Sequence, residues 1–212
     1  MVSKKSKLIF LMPPKTASNS LRKSLLNSEI VFDSFDPNYH KPITHLYLSE
    51  LIENFKIENP EEFRIFQIFR NPLEKFVSAF YHFRPHMPNY YFISKIGLNE
   101  FVYFYQECLK SENYVSCMYD DPHYVKNMIN KKIHFGFTRY FVEQNKWNDL
   151  NMKINYIDFR QINSSFETFG IKIPQLEYEN VSPFKKETLT ETSERILKEI
   201  YNKDFNLLNQ ET

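Results

Sequence analysis

Apolar positions along this chain alternate between short unbroken runs and helical stripes. Residues 7–12 carry Leu8, Ile9, Phe10, Leu11 and Met12 in a row, the pattern of a strand buried on both faces. Residues 18–27 follow as a helix, with Leu21, Leu25 and Leu26 on one face and no Gly or Pro to interrupt it. Leu48, Leu51, Ile52 and Phe55 share helical spacing within 46–55. A second buried strand is predicted over 63–69, and Pro72 then stands where a helix's first turn accepts proline. Leu73, Phe76, Val77 and Phe80 form the i, i+3, i+4, i+7 stripe of the helix that follows, so a strand–loop–helix unit covers 63–84.

Further along, helices are expected at 97–110 and 121–130, and a third strand at 153–159. A closing helix is expected over 188–203. Thr188 and Glu191 fit a capping box there, and Ile196, Leu197, Ile200 and Tyr201 supply the apolar face. Strands alternating with helices predict the α/β class, and 212 residues suit a single domain, 1–212.

Charge narrows the partners. Lys and Arg number 27 against 26 Asp and Glu, a net charge of +1, so no global basic field points to nucleic acid. An anionic ligand would have to be held by a local site. No stretch approaches the roughly 18 apolar residues of a membrane span, and the run at 8–12 is too short for a signal sequence. A cytoplasmic enzyme without a membrane span is the expectation. The two cysteines, Cys108 and Cys117, make no disulfide scaffold and lack CxxC spacing, and no metal site is expected. The chain has only 3 glycines, so any loop that cradles a ligand must be built from other residues.

Two loops carry candidate chemistry. Residues 13–20 join the first strand to the first helix. The N-terminus of a helix offers N–H groups and partial positive charge to a phosphate or sulfate. Lys15 adds a full charge, and Thr16, Ser18, Asn19 and Ser20 add donors. The plainer alternative is a loop whose Ser18 or Asn19 caps the helix. The second loop begins at Arg70, just past the second strand. Ligands of α/β folds gather there, and a guanidinium fork suits phosphate. Ser78 lies eight residues on, along the helix. The G-x-x-x-x-G-K-[ST] loop of ATP- and GTP-binding proteins is absent, which makes a nucleotide or small-molecule kinase the weaker reading.

Phe10-Leu-Met-Pro-Pro-Lys-Thr-Ala-Ser-Asn-Ser-Leu21 resembles the 5′-phosphosulfate loop of sulfotransferases that use 3′-phosphoadenosine 5′-phosphosulfate (PAPS), nearest to the carbohydrate branch of heparan and chondroitin type. Lys15, Thr16, Ala17, Ser20 and Leu21 match, while Ser18 and Asn19 stand where that family carries Gly and Thr. Phe69-Arg-Asn-Pro-Leu-Glu-Lys-Phe-Val-Ser-Ala-Phe-Tyr81 resembles its 3′-phosphate segment, with Arg70 and Ser78 at the diagnostic positions. Residues 200–208 resemble the family's closing segment, and 156–159 with Phe166 and Glu167 resemble the strand before it. The stretch 85–150 shows no clear correspondence.

The resemblance implies a P-loop-like three-layer sandwich with a central parallel sheet flanked by helices. It implies that Lys15, Thr16, Ala17, Ser18, Asn19, Ser20, Arg70 and Ser78 hold PAPS and the product 3′-phosphoadenosine 5′-phosphate (PAP). Lys15 would also act in catalysis, and the acceptor would be a hydroxyl, most simply on a glycan. A histidine between the two motifs serves as general base in heparan-type relatives, which points to His45, with His40 and Glu50 as alternatives. His82 and His86 could line the acceptor side, and Lys185 or Lys186 could reach the 3′-phosphate. The changes at Ser18 and Asn19 keep a further alternative open, a PAP-binding module without chemistry.

Overall fold

The computed structural model describes residues 1–33, 45–83, 96–110, 140–174 and 187–210. The chain divides into two compact units. The first is Met1–Arg70 with Gln144–Val181, and the second is Asn71–Glu143 with Ser182–Thr212.

The first unit is α/β. Its sheet runs in the order β1 (Val2–Ser3), β2 (Leu8–Leu11), β3 (Arg64–Phe69), β4 (Ile154–Asp158). β1 is antiparallel to β2, and the other two pairings are parallel, so the sheet is mixed but mostly parallel. The unbroken apolar runs have their cause here, because the central strands are covered on both faces. On one face Phe10, Phe66, Ile68 and Ile157 pack with Leu21 and Leu25 of α1 (Ser18–Leu26) and with Ile162 and Phe166 of α5 (Ile162–Thr168). On the other, Ile9, Leu11 and Ile65 pack with Leu48, Leu51 and Phe55 of α2 (Leu48–Phe55). Phe10 and Phe66 are paired across the parallel ladder and their rings stack at 5.5 Å. Burial of each such side chain contributes about 1.5–3 kcal/mol.

Within the second unit the described elements are helices: α3 (Pro72–Phe83), α4 (Leu98–Leu109), α6 (Glu191–Ile200) and α7 (Asn202–Gln210). Phe76, Ala79, Phe80, Phe101, Val102, Tyr105, Phe141, Leu197 and Tyr201 make its core. Pro72 opens α3 as expected, and the Asn71 side chain caps it by accepting from the N–H groups of Leu73 and Glu74 at 3.0 and 3.3 Å.

The expected closing helix is instead two. Thr190, not Thr188, is the N-cap of α6, and its hydroxyl accepts from Ser193 N–H. Asn99 explains the delay. Its side chain donates to Thr188 O and accepts from Thr190 N–H, which holds both residues ahead of the helix. Tyr201 then interrupts the helical path at φ −100°, ψ 26°, with its hydroxyl bonded to Phe141 O. Its face is otherwise as read: Ile196, Leu197 and Tyr201 are buried and Ile200 packs against them. The expected helix at 121–130, His40, His86, Cys117, Lys185 and Lys186 lie outside the described residues. Among the described residues no helix is long and apolar enough to cross a membrane.

Candidate functional site

Three loops leave the C-terminal ends of the parallel strands in the first unit, and Lys15 and Arg70 sit on two of them. β2 ends at Leu11 and the chain runs through Pro13 to Ala17 into α1. Two residues in this turn are left-handed, Lys15 at φ 65° and Ala17 at φ 57°. Glycine usually supplies such geometry, and here alanine and lysine bear its cost of roughly 1–2 kcal/mol each. The need for unusual backbone thus falls on Lys15 and Ala17. Ser18, which stands where the resembled family carries Gly, is instead the first residue of α1.

Ala17 is the N-cap of α1, and no side chain caps the helix there, so Ser18 and Asn19 do not cap it. Its first turn holds no acidic residue, so the positive end of the dipole meets no carboxylate from its own helix. Thr16 is fully buried, and its hydroxyl donates to Pro13 O at 2.7 Å, closing the loop on itself. Ser18 and Ser20 are buried, Asn19 is exposed, and Lys15 is half-buried.

Arg70 reaches this loop. Its Nη1 donates to Lys15 O at 3.1 Å, and its guanidinium lies over the Phe159 ring at 4.6 Å. The register explains the second contact. Phe69 pairs with Asp158 in the parallel ladder, so Arg70 and Phe159 are the next residues past two adjacent strand ends. The backbone of Arg70 is held by Gln144, whose side-chain amide accepts from Arg70 N–H at 2.9 Å and donates to Arg70 O at 2.7 Å.

His45 stands beside the same loop. Its Nδ1 is 2.8 Å from Met12 O. A carbonyl only accepts, so Nδ1 carries the proton, and the tautomer this bond selects has its lone pair on Nε2. Glu50 has other work, since its carboxylate accepts from Tyr47 N–H at 2.8 Å at the start of α2. The structure therefore brings Lys15, Arg70 and His45 to one end of one sheet. Ser78 belongs to the second unit, where it is half-buried on α3. Gln144 and Phe159 were not singled out in the sequence, although the strand register points to Phe159 once Arg70 is chosen.

Comparison with family models, with curated proteins and with solved structures finds no match to this chain. Among the described residues no group of three or more His, Cys, Asp and Glu side chains is placed to hold a metal ion.

Proposed function

We propose that this chain is a PAPS-dependent sulfotransferase of the carbohydrate branch, built as a P-loop-like three-layer sandwich, that moves a sulfuryl group from PAPS to an acceptor hydroxyl on a glycan. The observation that carries the reading is the bond from Arg70 to Lys15 O, which joins the two loops that carry the candidate chemistry. A cation at a strand end, a second cation in the turn and an uncapped helix start are a phosphate-binding combination.

In this reading the α1 N-terminus and Lys15 hold the 5′-phosphosulfate, and Arg70 holds the 3′-phosphate. His45 Nε2 takes the acceptor's proton as its oxygen bonds to sulfur and the bond from sulfur to the 5′-phosphate oxygen breaks, releasing PAP. Lys15 and the helix N–H groups stabilise the charge that gathers on the leaving phosphate. Positioning and electrostatics carry the chemistry, as in phosphoryl transfer.

Two measurements test it. Calorimetric titration should give tighter binding of PAP than of ATP, and equal affinity would remove the 3′-phosphate assignment. Sulfur-labelled PAPS incubated with a panel of sugars should label an acceptor. PAP binding without transfer to any hydroxyl would make the chain a binding module.

A further inference from the structure

β3 and β4 stop pairing at Phe69 and Asp158, so Arg70 is the first residue beyond the ladder. A side chain takes over where the strand ends. Gln144 opens a 3-10 turn (Gln144–Trp147) and is fully buried. Its Oε1 accepts from Arg70 N–H at 2.9 Å and its Nε2 donates to Arg70 O at 2.7 Å. The two bonds have opposite sense, so only one orientation of the amide satisfies both. Gln144 is itself braced, because its backbone carbonyl accepts from Gln67 Nε2 at 2.9 Å, three residues back along β3. Gln67 is fully buried as well. One amide thus does for Arg70 what a neighbouring strand does for Arg64–Phe69.

We infer that Gln144 is the positioning residue that gives this site its selectivity for a nucleotide carrying a second phosphate, by fixing the Arg70 backbone before ligand arrives. Arg70 is then held at its peptide by Gln144, at its Nη1 by Lys15 O, and on its guanidinium face by Phe159. An arginine side chain loses much rotamer freedom when it binds an ion, and one already fixed loses less on binding. Gln144 is buried, so its effect passes through Arg70. The inference rests on the sulfotransferase reading for the identity of the phosphate, the 3′-phosphate of PAP.

The test is the ratio of PAP to AMP affinity, measured by calorimetry on the full chain. AMP keeps the 5′-phosphate and lacks the 3′-phosphate. Gln144→Met keeps the bulk and removes both bonds. It should lower the ratio about tenfold, the effect of one hydrogen bond's worth of positioning, with AMP affinity unchanged. Gln67→Met removes the brace and leaves Gln144 in place, so it should lower the ratio severalfold, and it serves where Gln144→Met fails to fold. A folded Gln144→Met protein with the wild-type ratio, or one that loses PAP and AMP affinity equally, overturns the inference while the sulfotransferase reading stands. A wild-type ratio near one overturns both.

Discussion

Arg70 donates from Nη1 to the backbone oxygen of Lys15, 3.1 Å away and fifty-five positions earlier in the chain. One donor of its five-donor fork therefore braces the loop that the same side chain would serve beside a bound phosphate. Arg70→Lys separates charge from geometry, since an ammonium keeps the charge and loses the planar fork and its stacking on Phe159. PAP binding should weaken by about 1.5–3 kcal/mol, the range for hydrogen bonds to charged groups, while the fold persists. Unchanged affinity in a calorimetric titration would make Arg70 a brace alone.

Ala17 supplies a test of the loop's strain. It holds φ 57°, ψ 26° at the N-cap of α1. Glycine takes that geometry without a Cβ penalty and is also the better N-cap. Ala17→Gly should raise stability by about 0.5–1 kcal/mol in urea denaturation, even though the unfolded chain gains freedom. A destabilised variant would mean that the methyl's packing against the α1-side core outweighs the backbone term.

Much of the first unit was legible because its central strands, β2 and β3, are buried on both faces. An unbroken run such as 8–12 fits little besides a buried strand when a polar, glycine-poor loop and a helical stripe follow it. Lys15 and Arg70 could be chosen because charge and position relative to strand ends are readable locally, and His45 because the family resemblance points to a histidine between the two motifs. Gln144 was not, because nothing in a sequence marks a buried amide that replaces a strand, and it falls in the stretch that resembles nothing clearly. β1 is two residues long, too short to show any period. The break at Tyr201 was missed because apolar spacing continues through it. Lys75 lies beside the apolar stripe of α3 and reads as an ordinary surface lysine, yet it is buried.

Lys75 has a consequence for stability. Its Nζ donates to the carbonyls of Tyr140 and Val142 at 2.9 and 2.8 Å. Burial lowers its pKa to about 8, against the opposing pull of Asp204 and Glu143. The unfolded chain then binds the proton more tightly than the folded one between pH 8 and 10.5, so stability rises with pH across that window. The hydroxyls of Tyr201 and Tyr140 are raised by burial, and they oppose the rise once ordinary tyrosines ionise near pH 10. Between pH 8 and 10 the gain should be on the order of 2–3 kcal/mol, and Lys75→Met should flatten it. Urea midpoints of the two proteins measured across this range decide it. Parallel curves would show that Lys75 does not titrate in the window.

His45 separates binding from chemistry. Its Nδ1 proton is committed to Met12 O, which presents Nε2 as the basic nitrogen and anchors the ring to the strand end that leads into the phosphate loop. The ring lies between the two motifs in sequence and belongs to neither, so removing it should leave the donor's phosphates their partners. His45→Ala should therefore retain PAP affinity and lower kcat by about 10²–10⁴-fold, the usual loss for a general base. His45→Gln is the sharper variant, because its amide can still donate to Met12 O but offers no basic nitrogen. If the ring acts only by packing against the loop, His45→Gln recovers turnover and the pH–rate profile keeps its shape. If it is the base, His45→Gln stays as slow as His45→Ala and the acidic limb of the kcat profile disappears. Near-normal turnover in His45→Ala would pass the role to the alternatives, and Glu50 would be a poor one, since its carboxylate holds the first turn of α2.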